Sequence, residues 1–173
     1  MRVVLAHGAS GNAESMRRHV DGLTARGIEA TAIDLPVRKA ETALDAYRVA
    51  AGLEGEAARP AVIGGQSYGG RVASLVAGDG SPMVRGLVLL SYPLHRPGSP
   101  EWEPRSDHWP RIGVPVLLCS GESDPFARID LLRRAVEERL PAAQLVTFPR
   151  LGHTLAPVLE EVLERVAAFA RGV

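Results

Sequence analysis

The chain has 173 residues, 46% of them hydrophobic, which suffices for one compact core and is too little for two domains with separate cores. Lys plus Arg and Asp plus Glu each number 20, so the formal net charge is zero; with no long basic run, this excludes an electrostatic draw to nucleic acid or to an anionic membrane. A single cysteine excludes an intrachain disulfide, and no apolar stretch approaches the ~20 residues of a membrane-spanning helix.

Short apolar runs follow one another at Val3–Ala6, Ile28–Ile33, Ala61–Ile63, Gly86–Leu90, Val114–Cys119 and Gln144–Phe148. Most are nearly continuous rather than alternating, as strands covered on both faces require. Between them lie helical patterns near 13–26, 41–58, 68–78, 128–140 and 155–171. In the last, Leu155, Val158, Leu159, Val162, Leu163, Val166 and Phe169 recur at three-and-four spacing, and Gly172 stands where a helix end prefers glycine. Repeated strand–helix–strand units predict an α/β fold, a parallel sheet with helices on both sides in a three-layer sandwich, joined by right-handed crossovers. Cys119 reads as a buried strand residue. The irregular stretch Ser91–Gly113, rich in Pro, Trp and His, is long for a loop, and such loops tend to carry function. No linker composition interrupts the chain, so residues 1–173 form a single expected domain. The opening MRVVLAHG lacks the pattern of a signal peptide, and a cytoplasmic location is expected.

The segment PAVIGGQSYGGRV at 60–72 runs an apolar strand into Gly65-Gln66-Ser67-Tyr68-Gly69 and then into a helical pattern. This is G-x-S-x-G in the context of strand, sharp turn and helix, where a strained turn exposes a serine hydroxyl. The flanking glycines leave room for the neighbouring strand and helix. A phosphate-binding loop is rejected, because neither G-x-x-x-x-G-K-[ST] nor G-x-G-x-x-G is met.

A serine hydroxyl needs a base within hydrogen-bond reach, and the base needs a third group to orient it. In this arrangement the chain order is Ser, acid, His. Of the five histidines (His7, His19, His95, His108 and His153), only His153 follows the last strand. The loop after the preceding strand, Ser120–Phe126, supplies two carboxylates; Asp124 in an Asp-Pro turn is the expected acid, Glu122 the second choice, and Asp107 a weaker one. The small-residue loop Ala6–Asn12 after the first strand is expected to give the oxyanion hole. Its donors would be the backbone amides of Tyr68 and of Ala9 or Ser10, with Ala9 preferred, while His7 reads as a loop-shaping residue. Tyr92, Pro93, Leu94, Trp102, Trp109 and Phe126, in loops after strand ends, are the expected pocket walls.

These residues carry a resemblance. On His7-Gly8, Gly65 to Arg71, Gly121 to Asp124 and Gly152-His153, the chain resembles the α/β-hydrolase superfamily over nearly its whole length. Leu90 to His95 with Pro97-Gly98 is similar to the small dienelactone-hydrolase-related group that includes the testis-expressed hydrolase-like proteins. The resemblance implies a minimal, lidless fold with about six strands in the order 2-1-3-4-5-6, and Ser67, Asp124 and His153 as nucleophile, acid and base. Dienelactone hydrolases proper have cysteine at the position of Ser67, so that activity does not carry over. The superfamily's usual first two strands are also missing.

The resulting expectation is a serine hydrolase acting on a small ester or thioester through an acyl-enzyme. It would need no cofactor and no metal, its partner being a small-molecule acyl substrate, with neither nucleic acid nor membrane bound. A silent interaction module on the same fold, or an acyltransferase or lactonase on the same three residues, is the competing reading.

Overall fold

The computed structural model describes residues 1–173. In chain order the elements are β1 (Arg2–Ala6), α1 (Arg17–Ala25), β2 (Glu29–Ile33), α2 (Leu44–Ala50), β3 (Ala61–Gln66), α3 (Tyr68–Gly78), β4 (Val84–Leu90), α4 (Glu103–Ser106), β5 (Val116–Gly121), α5 (Ile129–Arg139), β6 (Gln144–Phe148) and α6 (Leu159–Gly172). All six strands are parallel, in the order β2-β1-β3-β4-β5-β6. The reversal of direction at β1 opens a crevice at the carboxyl ends of β1 and β3, where ligands of open α/β sheets gather.

The two-residue period of the strands divides the apolar side chains between two cores. Val4, Ala6, Ile63, Leu87, Leu89 and Leu118 face a layer made by α2, α3 and α5. Val3, Leu5, Val62, Val88, Leu90, Leu117 and Cys119 face α1 and α6. This is the three-layer α/β/α sandwich expected of the sequence. Cys119 is fully buried, and burial pushes its thiol up to about 12, so no thiolate forms there near neutrality.

Three helical stretches are shorter than their periodicity suggests. The first begins as a 3₁₀ turn, Ala13–Met16, and the last as another, Ala156–Val158. The second, expected over 41–58, is a 3₁₀ turn at Ala40–Thr42 and then α2, which ends before Gly52 adopts a φ of +58°. Gly172 is the last residue of α6 rather than the residue beyond it.

The stretch Ser91–Gly113 corrects a sequence expectation. Tyr92, Leu94, Trp102 and Trp109 do not line a pocket at Ser67; they are buried in the same core as Val72, Val76, Leu132 and Ala135. The cavity that Trp109 borders lies away from Ser67, against Val116 and Leu140. Tyr92 packs edge-on against Trp109 at 5.0 Å, and its hydroxyl donates to the Arg105 carbonyl at 2.6 Å. Trp102 lies under the Arg139 guanidinium, 4.8 Å from the ring centre. The segment is a folded flap that completes the core over α3 and α5. Burying four large side chains there gains more than leaving them at an open site, at roughly 1.5–3 kcal/mol each.

Candidate active site

β3 ends at Gln66 and α3 begins at Tyr68, so Ser67 alone makes the turn between them. Its φ is +49° with ψ at −112°, a conformation that L-residues adopt only when their surroundings enforce it. The enforcement is visible. The Ser67 amide donates to the Leu90 carbonyl at 2.8 Å, and the Gly69 amide to the His7 carbonyl at 3.1 Å. Side chains at positions 65 and 69 have no room: a Cβ on Gly65 would meet the Ala6 carbonyl and come within 2.8 Å of the Gly69 backbone, and one on Gly69 would lie 2.6 Å from the His7 carbonyl oxygen.

His153 stands in the loop after β6, and Asp124 in the loop after β5. The imidazole Nε2 is 2.9 Å from Ser67 Oγ, and Nδ1 is 2.8 Å from Asp124 Oδ2. In this arrangement Nδ1–H donates to the carboxylate, leaving the Nε2 lone pair to accept the serine proton. The Asp124 side chain is wholly buried, whereas His153 is 27% exposed. Asp124 Oδ1 accepts the Phe126 amide at 2.8 Å, so both carboxylate oxygens are engaged. The other two acids are committed elsewhere. Glu122 accepts from Arg133 at 3.0 Å and from Thr147 at 2.8 Å, and Asp107 pairs with Arg139 at 2.7 Å.

The loops carrying Asp124 and His153 are tied together. The Ser123 amide donates to the Leu151 carbonyl at 2.8 Å, and the Glu122 amide to the Phe148 carbonyl at 3.0 Å. Phe126 packs its ring 4.5 Å from that of His153, making it the one expected wall residue found at the site.

Gly8 places the loop after β1 beside Ser67: a Cβ there would lie 3.8 Å from the Ser67 Cβ. The exposed Ala9 has an amide with no hydrogen-bond partner, and Tyr68, at the first position of α3, has none either. These unspent donors and the positive end of α3 suit an oxyanion. His7 shapes this loop. Its Nε2 accepts the Leu35 amide at 3.0 Å, so the proton is on Nδ1, which donates to the Gly8 carbonyl at 2.7 Å.

Three further groups stand at the site whose roles were not assigned from the sequence. The His95 amide donates to the Phe126 carbonyl and its Nε2 accepts the Arg128 amide, both at 2.9 Å, holding the Asp124 loop from two sides. Ser91 takes a φ of +51° and His19 points from α1 towards the end of the sheet. No group of three or more His, Cys, Asp or Glu side chains gathers as metal ligands would, and no helix is long and apolar enough to cross a membrane.

Solved structures repeat this architecture. The monoacylglycerol lipase of Paleococcus ferrophilus superposes with a TM-score of 0.81 at 17% identity, covering 96% of this chain and 93% of that one. Est1E of Butyrivibrio proteoclasticus, solved with ferulic acid bound, gives 0.78 at 16% identity, covering 98% and 88%. The Thermus thermophilus protein TT1662 gives 0.76 at 21% identity, covering 98% and 89%. At such identities the likeness is one of fold. The family model described as alpha/beta hydrolase domain matches residues 1–170, and the chain belongs to that family.

Proposed function

We propose that this protein is a serine hydrolase that cleaves a small ester or thioester. The observation that carries the reading is the hydrogen-bonded row Ser67–His153–Asp124, at 2.9 and 2.8 Å, on a strained strand-to-helix turn. Ser67 Oγ attacks the acyl carbonyl as its proton passes to His153 Nε2. The buried Asp124 carboxylate stabilises the imidazolium and keeps its orientation. Charge developing on the carbonyl oxygen faces the amides of Tyr68 and Ala9. The tetrahedral intermediate collapses as His153 returns the proton to the departing alcohol or thiol, leaving an acyl ester on Ser67. Water then attacks that ester with His153 as base, and the acid is released with Ser67 restored.

Two of the structural neighbours are named as a monoacylglycerol lipase and as the esterase domain of a Rhodothermus marinus protein, in keeping with an acyl substrate. With no inserted cap over Ser67, short acyl groups suit the site better than long lipid chains.

The test is turnover of 4-nitrophenyl acetate and an acetyl thioester by wild type, Ser67→Ala, His153→Ala and Asp124→Asn. The proposal expects saturable hydrolysis by wild type and a loss of about 10⁴-fold or more in each variant. Equal rates in wild type and Ser67→Ala would overturn it and favour an interaction module on the hydrolase fold.

A further inference from the structure

A cavity of about 160 Å³ lies between the amino-terminal ends of α1 and α6; neither Ser67 nor His153 lines it, but the residue next to each in the chain does. Gln66 and Thr154, the chain neighbours of the nucleophile and the base, both line it. So does Ser91, which follows the carbonyl that holds the Ser67 amide. Leu90, Leu155 and Leu159 make its apolar side.

Its polar side is unusual. Ser91 is 1% exposed, yet its hydroxyl has no hydrogen-bond partner, and the buried Nδ1 of His19 has none either. Buried polar atoms are rarely left so, because each unmet group forfeits the hydrogen bonds it made to water. Arg18, at the mouth, pairs with no carboxylate, whereas the adjacent Arg17 holds Glu14 and Asp21. The acids nearest Arg18 in the neighbouring groove, Glu160 and Glu161, are taken by Arg26 and Arg165. All six polar lining residues (Ser15, Arg18, His19, Gln66, Ser91 and Thr154) can donate a hydrogen bond, and none carries a carboxylate. Burial, followed by the charge of Arg18, lowers the pKa of His19, so near neutrality it is an uncharged ring able to donate from either nitrogen.

We propose that this cavity receives a short carboxylate-bearing arm of the substrate, held by Ser91, His19 and Arg18. A cavity of ~150 Å³ accommodates benzene, which sets the arm at about six non-hydrogen atoms. The inference rests on the hydrolase reading only in assigning the arm to a substrate; the anion site stands on its own donors.

Butyrate and its uncharged counterpart butyramide, each of six non-hydrogen atoms, are the probes. Each is titrated into wild type, Arg18→Gln and Ser91→Ala and followed by the NMR signals of the His19 ring and by thermal shift. Saturable butyrate binding, at least about fivefold tighter than that of butyramide and weakened about fivefold in Arg18→Gln, supports the site. Absent butyrate binding, or binding equal in Arg18→Gln, overturns it, and Ser91→Ala gives a second decision should Arg18→Gln fail to fold. Turnover then assigns the arm. 4-Nitrophenyl hemisuccinate carries the carboxylate on the acyl side and 4-acetoxybutyrate on the alcohol side, each compared with its methyl ester. A preference of about tenfold for the charged form in either pair supports the assignment; equal rates within both pairs overturn it. Butyrate binding without labelling of Ser67 by an acylating probe would sink the hydrolase reading and leave the anion site standing.

Discussion

The backbone amide of His95 donates to the carbonyl of Phe126 at 2.9 Å, and through this bond a residue after β4 sets the loop that carries Asp124 after β5. The His95 ring adds a second bond by accepting the Arg128 amide. His95→Ala leaves that amide without its partner. It is expected to lower stability by about 1–2 kcal/mol and kcat about tenfold with little change in KM. His95→Gln, which can still accept from the amide, should restore part of both. Urea denaturation beside steady-state kinetics checks this; a kcat unchanged in His95→Ala would remove the positioning role.

Gly121 governs the same pair of loops from the end of β5. A Cβ there would run into the carbonyls of Leu151 and Gly152, the residues just before His153. Gly121→Ala must push the His153 loop away from the Asp124 loop. Overpacking of this kind costs about 1–3 kcal/mol, and displacement of a reacting group by about 1 Å costs on the order of 10²-fold in rate. Thermal melting and turnover of the same variant should therefore fall together.

The buried imidazole of His108, 2.8 Å from Ser74 Oγ, has its pKa lowered to about 4 by burial and by Arg111 and Arg71. An unfolded chain protonates this ring near ~6.5. Between those values the unfolded state binds more protons, so stability is full above about 6.5 and falls as pH drops towards 4. His19, also lowered, acts in the same direction. His108→Gln keeps a partner for Ser74 without a titrating group, and urea midpoints measured from pH 7 to 4 should fall less steeply than in wild type.

Ser91→Ala removes a buried hydroxyl that has no partner. The positive φ is unfavourable for either residue, so it cancels. The variant should be as stable as wild type or up to about 1 kcal/mol more stable, read as an unchanged or raised Tm. A lowered Tm would mean that the hydroxyl has a structural partner.

The six strands and the Ser67–His153–Asp124 row were legible because both rest on local signals: continuous apolar runs, a glycine-flanked serine at a strand end, and the order of residues after successive strands. The order of the strands in the sheet came from the family resemblance alone. Tyr92, Leu94, Trp102 and Trp109 were misread because an apolar residue in an irregular segment faces either a pocket or the core, and periodicity is silent where no element repeats. The segment folds back over α3 and α5, a tertiary outcome. The role of His95, as distinct from its place in the family-like segment, was not legible for a similar reason: its partners, Phe126 and Arg128, lie about thirty residues away and are backbone groups, which carry no side-chain signature. Ser91 escaped because a positive φ at a serine cannot be read from its neighbours.

The central claim is that Ser67 is an activated nucleophile. A fluorophosphonate probe, incubated with wild type, Ser67→Ala and His153→Ala and followed by intact mass spectrometry, tests it most directly. The account predicts one adduct per wild-type chain, mapped to Ser67, no adduct on Ser67→Ala, and labelling of His153→Ala slowed by several orders of magnitude. A folded wild type that stays unlabelled and also leaves 4-nitrophenyl acetate intact, or labelling that persists in Ser67→Ala, would contradict it.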